Sequence, residues 1–329
     1  MTTRWALVGT GPMTREIAPD FQLCENTEPV MIVSRNPAHA AAFAKEVGVP
    51  QWGTLADALR SEEIDSVYIA TPHPFHAEAA IAAMDAGKHV LVEKPITMNV
   101  AEAEAVVAAA RANGRFLMEA LWQAFNPSVV ELHRRLALGG LGDLRFMQSE
   151  FGYYTPVDPA SRLWAPELGG GSVLDQAVYT LSLIHSVLGR PSKITAVGTI
   201  GSTGVESEAV AVLDFENGAR AISTSTLRAQ LSGDSFVAGT KGRIDLHGPS
   251  YNPVGVSQVT WGPDTDAEDP AYEYFAHVQE GNGYVPMLRA VSEAIAAGEL
   301  EHPYRTHAAT LEVMASMEEI LRQLGIVWR

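Results

Sequence analysis

The sequence predicts an α/β chain in two parts. The first is a parallel sheet built from βαβ units; the second is an α+β half with an open, mainly antiparallel sheet. Three observations point there. Up to Glu119, short and wholly apolar runs alternate with Ala-rich helical segments, as expected of strands covered by helices on both faces. From Ser192 to Trp261 strands follow one another through tight turns, which makes neighbours largely antiparallel. A glycine-rich turn beginning at Gly9 joins the first apolar run to the first helix.

The apolar runs of the first part are Trp5–Val8, Val30–Val33, Val67–Ala70, His89–Val92 and Phe116–Met118. Helical spacing fills Ala38–Val47, His76–Ala86 and Val100–Asn113 between them. Gly87 and Gly114 stand just past the latter two, where a helix end favours a residue tolerant of positive φ. Beyond Glu119, Pro127–Leu138 reads as a helix stopped by Gly139-Gly-Leu-Gly142, residues 143–155 as a strand, and Ser172–Leu188 as a helix. Strands are expected at Ile194–Ile200, Ala209–Phe215, Ala219–Ser225, Ser235–Ala238 and Arg243–Leu246, with Asn217-Gly218 and Lys241-Gly242 as hairpin turns. Residues 262–273 read as an acidic, proline-containing surface loop, and helices over 278–297 and 306–324 follow. The domains expected are 1–121 and 122–329, with the last helix able to pack back on the first.

Length and charge bound the function. The 329 residues suit two domains at ~100–200 residues each. A formal charge of −16 repels phosphate backbones and anionic lipid heads, so neither a nucleic acid nor a membrane surface is an expected partner. The single cysteine, Cys24, excludes an internal disulfide framework and a cysteine-rich metal site, and is compatible with a cytoplasmic location. No run approaches the ~18 apolar residues of a membrane span, and the apolar start is too short for a signal peptide.

Gly9-Thr-Gly11-Pro-Met-Thr14 sits where a strand turns into a helix, the position used to bind dinucleotides. Gly9 permits the turn, and Gly11 lets the backbone approach a pyrophosphate. The helix that starts at Pro12 and Met13 offers free N–H groups, from Met13 onward, and the positive end of the helix dipole. Thr14 stands where a third glycine would allow close helix packing. The second strand ends in Val33-Ser34-Arg35 with no acidic side chain to accept hydrogen bonds from a ribose 2′-hydroxyl. Ser34 and the planar guanidinium of Arg35 suit a 2′-phosphate instead, so NADP is expected over NAD. The alternative is that Arg35 is an ordinary exposed loop residue.

Glu93-Lys94-Pro95 falls at the carboxyl end of the fifth strand, where ligands bind in open α/β sheets. Lys94 there can hydrogen-bond a substrate hydroxyl and take its proton, and Glu93 can orient the lysine or meet the cofactor. Further along, Gly169-Gly-Gly171 precedes a helix carrying Asp175 and Tyr179, four residues apart and so on one face. Asp175 can fix a substrate hydroxyl and Tyr179 can donate or accept a proton; three glycines allow a close backbone approach. An acid at a helix start beside a half-buried tyrosine is the blander reading.

These segments, with Thr71-Pro-His-Pro-Phe-His76 and Gly87-Lys-His-Val-Leu-Val-Glu93, resemble the glucose–fructose oxidoreductase/inositol dehydrogenase/MocA family over essentially the whole chain. Phe116-Leu-Met-Glu-Ala-Leu-Trp122, Leu141-Gly-Asp-Leu-Arg145, Gly239-Thr-Lys-Gly-Arg243 and Leu321-Arg-Gln-Leu-Gly-Ile326 are most similar to its dimeric dihydrodiol dehydrogenase and NADP-dependent xylose dehydrogenase branch. That branch has tyrosine where inositol dehydrogenases have histidine, and an arginine where this chain has Ala124. The resemblance implies a Rossmann domain followed by an α+β domain whose open sheet makes a homodimer or homotetramer. It implies catalytic roles for Lys94 and Tyr179, with Asp175 positioning the substrate or Lys94. It places Thr71, Pro72, His73, His76, Glu93 and Trp122 at cofactor-contacting or cleft-lining positions. Arg162 and Trp164, just before the glycine triplet, are expected to line the substrate pocket.

The function expected is NADP-dependent hydride transfer to and from a sugar or other vicinal diol. Two other readings remain open: a cofactor-binding sensor of the same fold, and a metal-dependent enzyme using His73, His76 and Asp175. Lys94 beside Tyr179 and Asp175 disfavours the first. The second lacks a further ligand at a metal-binding spacing.

Overall fold

Six short strands with apolar side chains on both faces pair in parallel to make the first sheet. They are β1 (Thr3–Val8), β2 (Thr27–Val33), β3 (Gln51–Gly53), β4 (Ser66–Ile69), β5 (His89–Val92) and β6 (Leu117–Glu119), in the order β3-β2-β1-β4-β5-β6. The chain leaves β1 for one edge and later returns to its other side at β4, so the strand order reverses there. That reversal opens a crevice at the carboxyl ends of β1 and β4. The connecting helices are α1 (Pro12–Leu23), α2 (Pro37–Val47), α3 (Leu55–Arg60), α4 (His76–Asp85) and α5 (Val100–Asn113). The sequence reading passed over β3 and α3, which are short and only partly buried.

The computed structural model describes residues 2–261 and 271–328. Part of the acidic segment expected at 262–273 therefore lies outside the described residues, and the rest opens a strand. By compactness the chain divides into one unit running to Trp122 and taking up Gln279–Leu311, and another made of Gln123–Val278 with the segment from Glu312. The later segment of the first unit carries α8 (Val285–Ala296), which packs on α1, β1 and β2. Its chain turns through Asp20, whose two carboxylate oxygens accept the N–H groups of Asn282 and Tyr284 at 2.8 Å each. Trp5, Phe21 and Tyr68 form the aromatic centre of this unit, with neighbouring ring centroids 5.3 and 5.6 Å apart. Such pairs add about 0.5–1.5 kcal/mol each beyond the area they bury.

The second unit holds an eight-stranded sheet in the order β14-β13-β12-β11-β7-β10-β9-β8. Its strands are β7 (Leu144–Gly152), β8 (Lys193–Ile200), β9 (Glu206–Asp214), β10 (Arg220–Thr226), β11 (Ser235–Gly239), β12 (Gly242–His247), β13 (Gly255–Thr260) and β14 (Ala271–Ala276). All neighbours are antiparallel except β7 and β10 at the centre. Buried and less buried residues alternate along β9 and β12, so one face is packed more fully than the other. Helix α6 (Pro127–Ala137) packs beside β12 and β13, and α7 (Val178–Leu188) beside β7 and β10. Helix α9 (His307–Gln323) begins in the first unit and ends in the second. Among the described residues no helix is long and apolar enough to cross a membrane.

Candidate active site

The crevice at β1 and β4 is built by glycine where a side chain would collide. Gly9 has φ of +121°, and a Cβ on it would come within 2.5 Å of the Ala70 carbonyl at the end of β4. Any other residue would force these strand ends apart. Gly11 differs: its backbone is extended, and a Cβ there would meet nothing within 4 Å. The open space lies over the start of α1, whose first turn has Pro12 and no capping side chain. Its amides are thus directed at whatever fills that space. Thr14 is fully buried beneath the turn, and its hydroxyl and that of Thr71 are buried without hydrogen-bond partners.

At the end of β2, Ser34 accepts the Asn36 N–H at 3.2 Å, and the Asn36 side chain caps α2. Exposed Arg35 lies over the Phe75 ring, 5.1 Å from its centroid. A flexible cation is thereby held against a flat aromatic face beside the crevice. Pro72 is exposed, and His73 is buried with its ring 5.7 Å from that of His76.

Lys94 follows β5 in a tightly braced turn. Buried Glu93 receives the Tyr68 hydroxyl at 2.6 Å on one oxygen and the Lys94 N–H at 3.2 Å on the other. Burial pushes its carboxyl up to about 7, against the pull of Tyr68 and Lys94. Two residues on, the Ile96 N–H donates to Glu119 at 2.9 Å, and Glu119 is paired with Arg305 in a fully buried ion pair. His76 braces the same turn, with Nδ1 3.0 Å from the Pro95 carbonyl and Nε2 2.8 Å from that of Thr71. Burial pulls its titration below the usual imidazole range, so at neutral pH the ring carries one N–H and donates to one of the two.

Three of the expected site residues are buried. His76 is completely buried and faces two backbone carbonyls, so it braces the loops. Trp122 stacks on Tyr284 at 4.4 Å, over Gly283, where a Cβ would come within 2.6 Å of the indole; it packs inside the first unit. Trp164 is 2% exposed in a cluster with Val205 and Leu227, flanked by Tyr153, Leu163 and Trp328, so it is core rather than pocket wall. Among the described residues no three His, Cys, Asp or Glu side chains gather as a metal site.

In the second unit Asp175 and Tyr179 share one helical stretch, but not a plain α-helix. Val173–Ala177 is a π turn, closed by the Val178 N–H reaching the Val173 carbonyl, and α7 continues from it. Single π turns of this kind recur at functional sites. Asp175 is buried and receives Arg162 Nη1 at 2.9 Å and the Tyr153 hydroxyl at 3.2 Å. Burial and the Asp175 charge raise the titration of Tyr153, so its phenol stays protonated as a donor. Tyr179 is buried with its ring 5.9 Å from Phe151 and 6.0 Å from Tyr251; Phe151 and Tyr251 lie 4.8 Å apart. The sequence reading missed Phe151, Tyr153 and Tyr251. Phe151 and Tyr153 fall inside the expected strand 143–155, whereas Tyr251 carried no signal.

The glycine triplet allows the close approach that the sequence suggests. A Cβ on Gly170 would press on the Leu163 carbonyl at 2.8 Å, and one on Gly171 would overlap the Glu206 carboxylate. The close approach that these glycines allow is to the protein's own chain.

A six-stranded parallel sheet in this order, with a glycine cradle at its reversal, defines a dinucleotide-binding Rossmann protein, here joined to an α+β unit. The family model for the GFO/IDH/MocA oxidoreductases, described as an NAD-binding Rossmann fold, matches residues 3–121, and the GFO/IDH/MocA C-terminal domain matches residues 129–245. The chain belongs to this family and is an oxidoreductase. It is 32% identical to the trans-1,2-dihydrobenzene-1,2-diol dehydrogenase of Bos taurus over 334 residues, covering 100% of this chain and 98% of the relative. A crystal structure of aldose-aldose oxidoreductase from Caulobacter crescentus, complexed with glycerol, superposes with a TM-score of 0.86 at 27% identity, covering 98% of this chain and 97% of the other. A levoglucosan dehydrogenase in complex with NADH and levoglucosan shares the fold with a TM-score of 0.89 at 20% identity, over 99% and 98% of the two chains.

Proposed function

We propose that the protein is an NADP-dependent dehydrogenase of a sugar or cyclic vicinal diol, an aldose or a trans-dihydrodiol. The observation that carries this reading is that buried Asp175 and Tyr179 stand four residues apart on one helical stretch, with Asp175 oriented by Arg162 and Tyr153. A carboxylate and a phenol on one helical stretch suit a substrate with two neighbouring hydroxyls. Similarity to the Bos taurus diol dehydrogenase and the Caulobacter crescentus aldose enzyme supports the substrate class.

Features of the first unit support the reading of NADP. The open space at Gly11, the uncapped N–H groups of Met13 and Thr14, and the unpartnered hydroxyl of Thr71 suit a pyrophosphate. Ser34 and Arg35 would hold the 2′-phosphate, with Phe75 behind the guanidinium. Thr71, Pro72, His73, Glu93 and Lys94 would line the carboxyl edge of the sheet. When bound, the nicotinamide supplies the hydride acceptor. Asp175 orients the substrate by one hydroxyl. As the reacting carbinol loses its hydride, Lys94 or Tyr179 takes the hydroxyl proton, leaving a carbonyl. In reverse the same groups return the proton.

We assign the exposed Val197 and Ile200 on edge strand β8, with Tyr272 and Tyr274 on edge strand β14, to contact with another copy of the chain. A cytoplasmic location fits this chemistry.

Initial rates of NADP+ reduction test the proposal, using aldoses, inositols, anhydrosugars and a trans-dihydrodiol, with NAD+ as the parallel control. Turnover of a sugar or diol with preference for NADP+ is expected. Cofactor binding with no turnover of any of these, in either direction, would contradict it.

A further inference from the structure

Glu206 opens β9 and is completely buried, yet no expectation from the sequence gave it a role. One carboxylate oxygen accepts the Val173 N–H at 2.8 Å; the other is buried with no hydrogen-bond partner. Val173 is the first residue of the π turn that carries Asp175, and no side chain at Ser172 caps that turn. The cap comes instead from a strand more than thirty residues away in sequence. The carboxyl lies against Gly171, which has φ of +118° and no room for a Cβ on that side. Burial pushes Glu206 up to about 7, so at neutral pH a large share is uncharged.

Burying a carboxyl with one oxygen unsatisfied opposes stability, since a buried polar group without a partner costs on the order of 1–3 kcal/mol. Stability alone would favour an apolar side chain. What an acceptor adds is a fixed point for the first amide of the turn, where orphan N–H groups otherwise have no partner within the helix. The glycine beneath it lets the carboxyl approach closely enough to act.

We propose that Glu206 is a positioning residue, holding the Val173 amide over Gly171 and thereby fixing the π turn that carries Asp175 and leads into the helix of Tyr179. The inference rests on the reading of those two as the substrate-handling groups. Glu206 itself touches no substrate; it acts through the backbone of residues 171–173.

The test compares Glu206→Ala, Glu206→Leu and Glu206→Gln in the full chain. Gln keeps an oxygen for the Val173 N–H, whereas Leu keeps volume without an acceptor and serves if the Ala variant fails to fold. Amide hydrogen exchange of the 172–180 segment should quicken about tenfold in the Ala and Leu variants and stay near wild type in Gln. With D-xylose and trans-1,2-dihydrobenzene-1,2-diol as probes, kcat should fall about tenfold to a hundredfold in Ala and Leu. KM and the NADP+ Kd should stay within about twofold, and Gln should recover most of kcat. Unchanged exchange in a folded Ala or Leu variant would overturn the proposal, as would a Gln variant as impaired as Leu. Asp175→Asn and Tyr179→Phe separate the two claims. If both keep wild-type kcat, the reading of the site fails while the exchange result still decides whether Glu206 holds the turn.

Discussion

Arg162 and Asp175 form an ion pair of unequal ends: Nη1 lies 2.9 Å from Oδ1, yet the arginine side chain is 54% exposed and the aspartate 6%. The buried carboxylate is fixed from two directions, by the guanidinium and by the Tyr153 phenol, while the cation reaches back from solvent.

Arg162 is itself half exposed, but it pairs a carboxylate that is 6% exposed, so its removal should cost about 1–3 kcal/mol by leaving a buried acceptor short of a donor. Orientation is another matter, since small misplacements of a substrate-binding group cost rate steeply. Arg162→Met should lower kcat/KM about tenfold or more, with Tm falling by only several degrees. Steady-state kinetics and a melting curve on one preparation check both halves.

Arg35→Ala should weaken NADP+ about tenfold to a hundredfold, because hydrogen bonds to a charged partner are worth about 1.5–3 kcal/mol. NAD+, with no 2′-phosphate, should bind nearly as before. Phe75→Ala should shift NADP+ in the same direction by less, since it removes the surface under the guanidinium rather than the guanidinium itself. Calorimetric titration of both cofactors into each variant reads the difference directly.

The Glu119–Arg305 pair is fully buried, and Glu119 also accepts the Ile96 N–H beside Lys94. Arg305→Met should destabilise the fold by about 3–5 kcal/mol by leaving a buried carboxylate unpaired. Adding Glu119→Leu should recover only part of this, because the Ile96 amide then loses its acceptor. Denaturant unfolding of the single and double variants tests the ordering.

Glu93 gives a pH dependence with a definite sign. Its carboxyl is raised from 4.5 to about 7 in the folded chain, so the folded state holds a proton that the unfolded state has lost across that window. As pH rises from about 4.5 to about 7, this group therefore subtracts stability. Glu93→Gln removes the term. The wild type should lose stability relative to the variant across the window, and the difference should level off above it. Glu131 has the opposite sign: Arg134 and Arg135 hold it at about 2, so its contribution is lost only as pH falls from about 4.5 towards 2.

Much of this architecture could be read from local pattern. The apolar strands, the Ala-rich helices and the glycines at 87 and 114, both at positive φ, all announce themselves within a few residues. So do Gly9 and Gly11, because a strand–turn–helix is a local event. The features that escaped depend on distant partners. Gly170 and Gly171 are glycines on account of Leu163 and Glu206, and Asp175 is oriented by Arg162 and Tyr153. The return of Gln279–Leu311 to the first unit is fixed by Asp20 and Glu119, which look like ordinary acids in the sequence. His76 stood out by its motif, yet its burial against two carbonyls is a tertiary fact.

The most direct test of the central claim is a single-turnover measurement of hydride transfer, with the substrate found by the panel, in wild type, Lys94→Ala and Tyr179→Phe. All three should bind NADP+ with similar affinity, while nicotinamide reduction falls by at least about a hundredfold in Lys94→Ala and by a smaller factor in Tyr179→Phe. Wild-type hydride transfer in both variants, with cofactor bound, would contradict the assignment of proton transfer to these residues.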